Sequence, residues 1–172
     1  MSLSPCCNLS GTDKRKPLMI GVSKSPRPFK NFKAKKYIEY SNNKKARMAS
    51  EVFNAYFFRL GQKSDKGGRK ICLFVDSCSA HKINVKFKKI EIQFIPPNTT
   101  SLLQPLGGGI IKSFKSHFTA SKLNDIFDAV EQGHDAQSAF KQIDLRNAVI
   151  YKNLARGNIS ASAIRNCYSP WK

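Results

Sequence analysis

The chain has 172 residues, 41% of them hydrophobic, and its 30 Lys and Arg outweigh 11 Asp and Glu to leave a formal charge of +19. That length holds one ordinary globular domain with a filled core, and the charge suits a polyanionic partner rather than a neutral substrate. Five cysteines without paired spacing exclude a disulfide framework, and no apolar run approaches the roughly 20 residues of a membrane span.

Leu18 to Val22 reads as a short strand, followed by a Pro-rich, basic connection through Phe32. Ser50 is placed to cap a helix on which Val52, Phe53, Tyr56, Phe57 and Leu60 recur at helical spacing, with Gly61 as its expected stop. Ile71 to Val75 is apolar throughout, the pattern of a central strand covered on both faces. Ile90 to Ile95 reads as a strand that ends at Pro96-Pro97, where a ladder cannot continue. A helix is expected from about Gly109, with Ile110, Ile111, Phe114, Phe118, Leu123, Ile126, Phe127 and Val130 inside. Lys112, Lys115 and Lys122 fall towards its opposite face. Asp144 and Ser160 are caps for two closing helices separated by Gly157-Asn158. Strands alternating with helices predict a three-layer α/β domain. Cys72 and Cys167 fall in apolar patterns and are expected as buried thiols, whereas adjacent Cys6 and Cys7 suit neither a mutual bridge nor a zinc knuckle.

The charge is lopsided. Residues 1–89 hold 21 basic and 5 acidic side chains, a net +16, whereas residues 90–172 hold 9 and 6, a net +3. The candidate nucleic-acid contacts are Lys33, Lys35 and Lys36, then Lys44, Lys45 and Arg47, then Lys86, Lys88 and Lys89, with Lys112 and Lys115 on the later helix. Such a surface neutralises phosphates and releases counterions, so binding should weaken steeply with salt. The plain alternative is a solvated lysine-rich surface. The same clusters fit nuclear import, and a start without an apolar signal-peptide core reads as intracellular and soluble.

The chemistry lies in residues 71–111. An apolar run delivers Asp76 where the chain turns, with His81 shortly after. The second run ends in Pro96-Pro97-Asn98-Thr99-Thr100, then Leu103-Gln104-Pro105-Leu106 and three glycines, Gly107, Gly108 and Gly109. This order resembles the core of the DDE superfamily endonuclease (DDE-1) domain of the Tigger/pogo/jerky transposases, which reads roughly VDNxPAH, then FLPPNTTSxxQPLDQGVI. Upstream, Pro17-Leu18-Met19-Ile20-Gly21 and Lys24-Ser25-Pro26-Arg27-Pro28-Phe29-Lys30 are similar to that family's PLxVIGKSKNPRCFK. Tyr40 and Asn43 to Phe53 resemble its YxANKKAWMTSEIF, and Ile164-Arg165-Asn166-Cys167-Tyr168 its TIxNCW.

The resemblance implies an RNase H-like fold with a central mixed sheet flanked by helices, here expected to lack the opening strand. Residues 1–132 would be the truncated core and 133–172 the C-terminal helical part. It also implies Mg²⁺, two ions about 4 Å apart that stabilise attacking and leaving oxygens. Asp76 matches the second of the three catalytic carboxylates, Gly107 stands at the third, and the first is expected to have no counterpart. Other acids do not replace them. Asp13 reads as part of a Gly11-Thr12-Asp13-Lys14 turn, Glu91 lies at the wrong end of its strand, and Asp125 and Asp128 stand more than ~25 Å along the helix from Gly107. Asp76 then has two roles open to it, residual metal contact and turn capping. His81 has three: phosphate contact, metal contact and a structural place. Backbone N–H groups freed at the glycine-rich helix start are a candidate phosphate cradle.

The expected function is therefore a transposase-derived DNA-binding protein of the nucleus that no longer cleaves, with contacts mostly to the backbone. The alternatives are an active two-Mg²⁺ endonuclease fragment and an oligomerisation remnant. A sheet lacking its opening strand leaves an unpaired edge, which favours marginal stability or a homo-oligomer.

Overall fold

Leu18, Met19 and Ile20 are fully buried, and they occupy the middle strand of a three-stranded sheet. A computed structural model describes residues 2–99 and 103–168. The sheet comprises β1 (Ser2–Ser4), β2 (Leu18–Gly21) and β3 (Glu39–Asn42) in that order, β1 antiparallel and β3 parallel to β2. β4 (Ile71–Asp76) and β5 (Ile90–Ile95) form a second, parallel sheet, pairing Ile71 with Ile90 and Asp76 with Ile95. The expected single mixed sheet is thus divided in two among the described residues.

Helix α1 (Ser50–Lys66) joins the two sheets. Val52 packs on Leu18 and Ile20 of β2, while Phe53, Phe57 and Leu60 pack on Val75 and Ile90. One helix thus supplies a wall to each sheet, because apolar residues at adjacent positions widen its stripe to two faces. The helix runs past Gly61, which is buried in its interior; Gly67 ends it instead. A Cβ on Gly61 would stand 2.5 Å from the Phe87 ring, so this glycine admits an aromatic side chain rather than stopping a helix. Ser50 is the first helical residue, and the capping position falls to Ala49.

The strand covered on both faces is β2, not β4. Leu18 and Ile20 face α1, and Met19 meets Ala34, Ile38 and Val149 on the other side. On β4 burial alternates: Ile71, Leu73 and Val75 belong to the core against α1, while Cys72 and Phe74 are exposed. Cys72 is therefore an exposed thiol, contrary to its apolar setting, and Cys167 is half-buried. All five cysteines are free.

The C-terminal part is helical: α2 (Ile111–Glu131), α3 (Ala136–Gln142), α4 (Leu145–Asn158) and α5 (Ala161–Cys167). Asp144 caps α4 through Arg146 and Asn147 N–H, with Asn147 returning the bond, and Ser160 caps α5 through Ala163 N–H. Gly157-Asn158 forms the last turn of α4 rather than a separator. The wide turn Leu106–Ile110 opens α2, and Gly109 adopts φ 146° there, which favours glycine. The expected interior of α2 is only partly covered. Phe114, Phe118 and Ile126 are half-buried, but Ile111, Leu123, Phe127 and Val130 are exposed. Lys122, expected on the polar side, lies over the Phe140 ring of α3. No described helix is long and apolar enough to cross a membrane.

Candidate functional site

β4 delivers Asp76 beside a cavity of about 360 Å³. All six residues of β4 line it, together with Ile95 of β5. The opposite wall includes Cys6, Cys7 and Asp13, and Gln104 to Leu106 close one end. Burial pushes the Cys7 thiol up to about 11 and also raises Cys6 and Tyr56, so these three groups stay neutral near pH 7.

After Asp76 the chain makes a tight turn, Ser79–His81, that brings the imidazole back to the carboxylate. His81 Nδ1 lies 2.5 Å from Asp76 Oδ1 and 3.2 Å from the Asp76 carbonyl oxygen. Both neighbours accept hydrogen bonds, so Nδ1 carries the proton. Asp76 is therefore engaged with an imidazole, not with the turn's backbone. The His81 ring packs against Phe53 of α1, with centroids 4.4 Å apart. Ser50 Oγ donates to the Ser79 carbonyl at 3.2 Å, and Asn54 Nδ2 donates to the Lys82 carbonyl at 2.8 Å. Ser77 Oγ donates to the Ile95 carbonyl at 2.5 Å and ties the turn to β5. The site is thus held by α1 on one side and β5 on the other.

Cys78 completes the cluster. A carboxylate oxygen of Asp76, Cys78 Sγ and a His81 ring nitrogen lie within 4.8 Å of one another. The sequence reading missed Cys78, whose signal was its spacing in Asp76-Ser77-Cys78-Ser79-Ala80-His81. Phe53, Ser50 and Asn54 were legible only as helix residues.

The remaining acids stand elsewhere. Asp13 lines the same cavity, but its carboxylate faces Arg15 at 3.6 Å and Arg69 at 3.7 Å. Asp125 accepts from the Tyr151 hydroxyl at 2.5 Å. Gly107 is exposed in the turn before α2. Of the Pro96 to Thr100 loop, Thr100 lies outside the described residues; Thr99 Oγ1 donates to the Pro96 carbonyl at 2.7 Å.

The basic candidates divide between two ends. Lys44, Lys45 and Arg47 are exposed in the connection from β3 to α1, and α1 begins at Ser50 against Ser79. They therefore share the Asp76 end. Lys33, Lys35 and Lys36 precede β3, and Lys86, Lys88 and Lys89 precede β5, with Lys89 Nζ reaching the Asp65 carbonyl near the end of α1. β4 alone, six residues at ~3.3 Å each, puts roughly 17 Å between Asp76 and that far end. Lys112 and Lys115 are exposed on the first turns of α2. Sequence reasoning saw one footprint where the fold makes separate patches.

A family profile described as DDE superfamily endonuclease matches residues 1–168. The chain belongs to this family. It is 30% identical over 128 residues to mouse Tigger transposable element-derived protein 4, covering 74% of the chain and 25% of that protein. Human major centromere autoantigen B is 24% identical over 98% of the chain and 27% of its own length. ARS-binding protein 1 of Schizosaccharomyces pombe is 24% identical over 98% of the chain and 34% of its own length. The chain thus spans between a quarter and about a third of these relatives. No solved structure gives a significant match.

DDE superfamily domains generally use divalent metal ions. Among the described residues, the group around Asp76 does not fit a Mg²⁺ pair. Magnesium requires hard oxygen donors, held by carboxylates and phosphates. Among the described residues Asp76 is grouped with a thiol and an imidazole instead.

Proposed function

We propose that this DDE domain is a transposase-derived DNA-binding module of RNase H-like, three-layer architecture that works in the nucleus and does not cleave strands. The observation that carries the proposal is the company Asp76 keeps: His81 and Cys78 beside it, and glycine at position 107 where the family's third carboxylate belongs. Without paired carboxylates the two-metal stabilisation of attacking and leaving oxygens is lost. What remains is electrostatic, and a relative named for binding an ARS supports DNA as the polyanion. Lys44, Lys45 and Arg47, on the Asp76 end, are the contacts assigned to phosphate; the two far-end lysine clusters, with Lys112 and Lys115, make a lesser contribution. The contacts are to the backbone and carry little sequence preference. The exposed apolar residues Leu123, Phe127, Val130 and Phe140 support a homo-oligomer alongside this reading.

Incubation of duplex DNA with the protein and Mg²⁺ or Mn²⁺ should produce no nicking above an Asp76→Ala control. Metal-dependent cleavage that disappears in the control would reverse the proposal in favour of an active endonuclease.

Binding itself should follow salt. Replacing Lys44, Lys45 and Arg47 together by Ala removes three phosphate neutralisations, so the slope of log K against log salt should flatten by about 3, at ~0.9 per phosphate. The Lys33, Lys35 and Lys36 triple should flatten it less. A wild-type slope near zero, or equal slopes in wild type and the first triple, would contradict the assignment.

A further inference from the structure

The geometry points to a single-ion site for a borderline-soft divalent cation of the Zn²⁺ class, held by Asp76, Cys78 and His81. Three donors of different chemistry converge from one six-residue segment: a carboxylate oxygen, a thiol sulfur and an imidazole nitrogen within 4.8 Å of one another. This donor set excludes Mg²⁺ as its preferred occupant and selects Zn²⁺ or Co²⁺, because thiolate and imidazole favour softer ions than oxygen-only sites do. Zinc with three protein ligands keeps its fourth position for solvent or another ligand. Cys78 is exposed, so that position opens outward.

The arrangement is held in place before any ion arrives. Phe53 fixes the plane of the His81 ring, Ser50 and Asn54 hold the carbonyls of Ser79 and Lys82, and the His81 N–H closes the turn on the Cys78 carbonyl at 3.0 Å. Two donors on a tetrahedral ion with bonds of ~2.0 Å stand about 3.3 Å apart. The 2.5 Å contact between His81 Nδ1 and Asp76 Oδ1 therefore opens by less than ~1 Å to admit the ion. Balance is simple. The ion displaces the proton at Nδ1, which the neutral imidazole takes up again at Nε2 by exchange with solvent, and the Cys78 thiol releases one proton to solvent as its sulfur becomes a ligand, a net release of one.

The site does not depend on the DNA-binding reading, and its test is separate. Untagged protein titrated with Co²⁺ should take up one equivalent and develop a thiolate-to-cobalt charge-transfer band in the near ultraviolet. Cys78→Ser should abolish the band, whereas Cys72→Ser and Cys167→Ser should keep it. Calorimetry with Zn²⁺ in buffers of different ionisation enthalpy should report release of about one proton, and Cys78→Ser and His81→Ala should each lose at least ~10-fold in affinity. Cys78 is exposed, so its variant leaves the core intact. Circular dichroism checks the fold of His81→Ala, and His81→Gln, which keeps bulk against Phe53, should lose affinity similarly. No band, a band that survives in Cys78→Ser, or Mg²⁺ competing with Co²⁺ at equal concentration would each overturn the assignment.

Discussion

Phe53→Ala is expected to destabilise the domain by about 3–5 kcal/mol, the usual cost of removing a buried phenyl ring. Phe53 is 6% exposed, stacks against Phe57 with centroids 6.3 Å apart, and belongs to the cluster that fixes β4 and β5 to α1. Native domains have a margin of roughly 5–15 kcal/mol, so this one substitution removes a large share of it. The effect extends to the site, since the same ring packs against His81. Phe53→Leu separates the two consequences. It keeps most of the volume, should cost under ~1.5 kcal/mol, and still removes the aromatic contact with the imidazole. Urea midpoints report the first effect, and the His81 ring resonances report the second. A wild-type midpoint for the Ala variant would show that α1 does not bear the second sheet.

The stability of Lys152→Met relative to wild type is expected to be greatest below pH 8 and to fall as pH rises towards 10.5. Lys152 is 5% exposed on α4, and burial lowers its pKa from the ordinary 10.5 to about 8. Below pH 8 folded and unfolded chains both carry the charge, which burial disfavours in the folded state. Between pH 8 and 10.5 the unfolded chain binds more protons, so wild-type stability rises with pH. The shift corresponds to about 3 kcal/mol. Buried Cys7, raised to about 11, pulls stability the other way above pH 9, but it is common to both proteins and cancels in their difference. Urea titrations at pH 7 and pH 10 should show the variant faring better against wild type at the lower value. A difference of equal size at both values would exclude the charge as its cause.

Local signals survived folding best. The caps at Asp144 and Ser160 were legible because a cap needs only the next few residues. The Asp76 strand end and the Pro96-Pro97 stop were legible for the same reason. Two local signals failed, the Ser50 cap by one residue and the Gly157-Asn158 separator; the other failures depended on cover from elsewhere. Ile71-Cys72-Leu73-Phe74-Val75 is apolar at every position, yet only the face towards α1 is packed, and sequence cannot say whether a second layer arrives. Conversely, β2 is only four residues long, too short to show its pattern, and it is the strand with cover on both faces. Gly61 read as a helix stop because the reason for it, the ring of Phe87, lies across the fold. Cys78 was passed over because its meaning requires Asp76 and His81 to meet around a turn.

The double cover of β2 also sets an order of events during synthesis. Leu18 and Ile20 obtain their partner Val52 early, and Met19 has Ala34 and Ile38, but its cover is completed only by Val149. Residues 50–95, with α1, β4 and β5, are complete about 50 residues before α4 begins, an interval of roughly 3–10 s at ordinary ribosome speeds. Through that interval the nascent chain shows part of an apolar face that the finished protein hides, and any holding factor that reads such faces has its moment there.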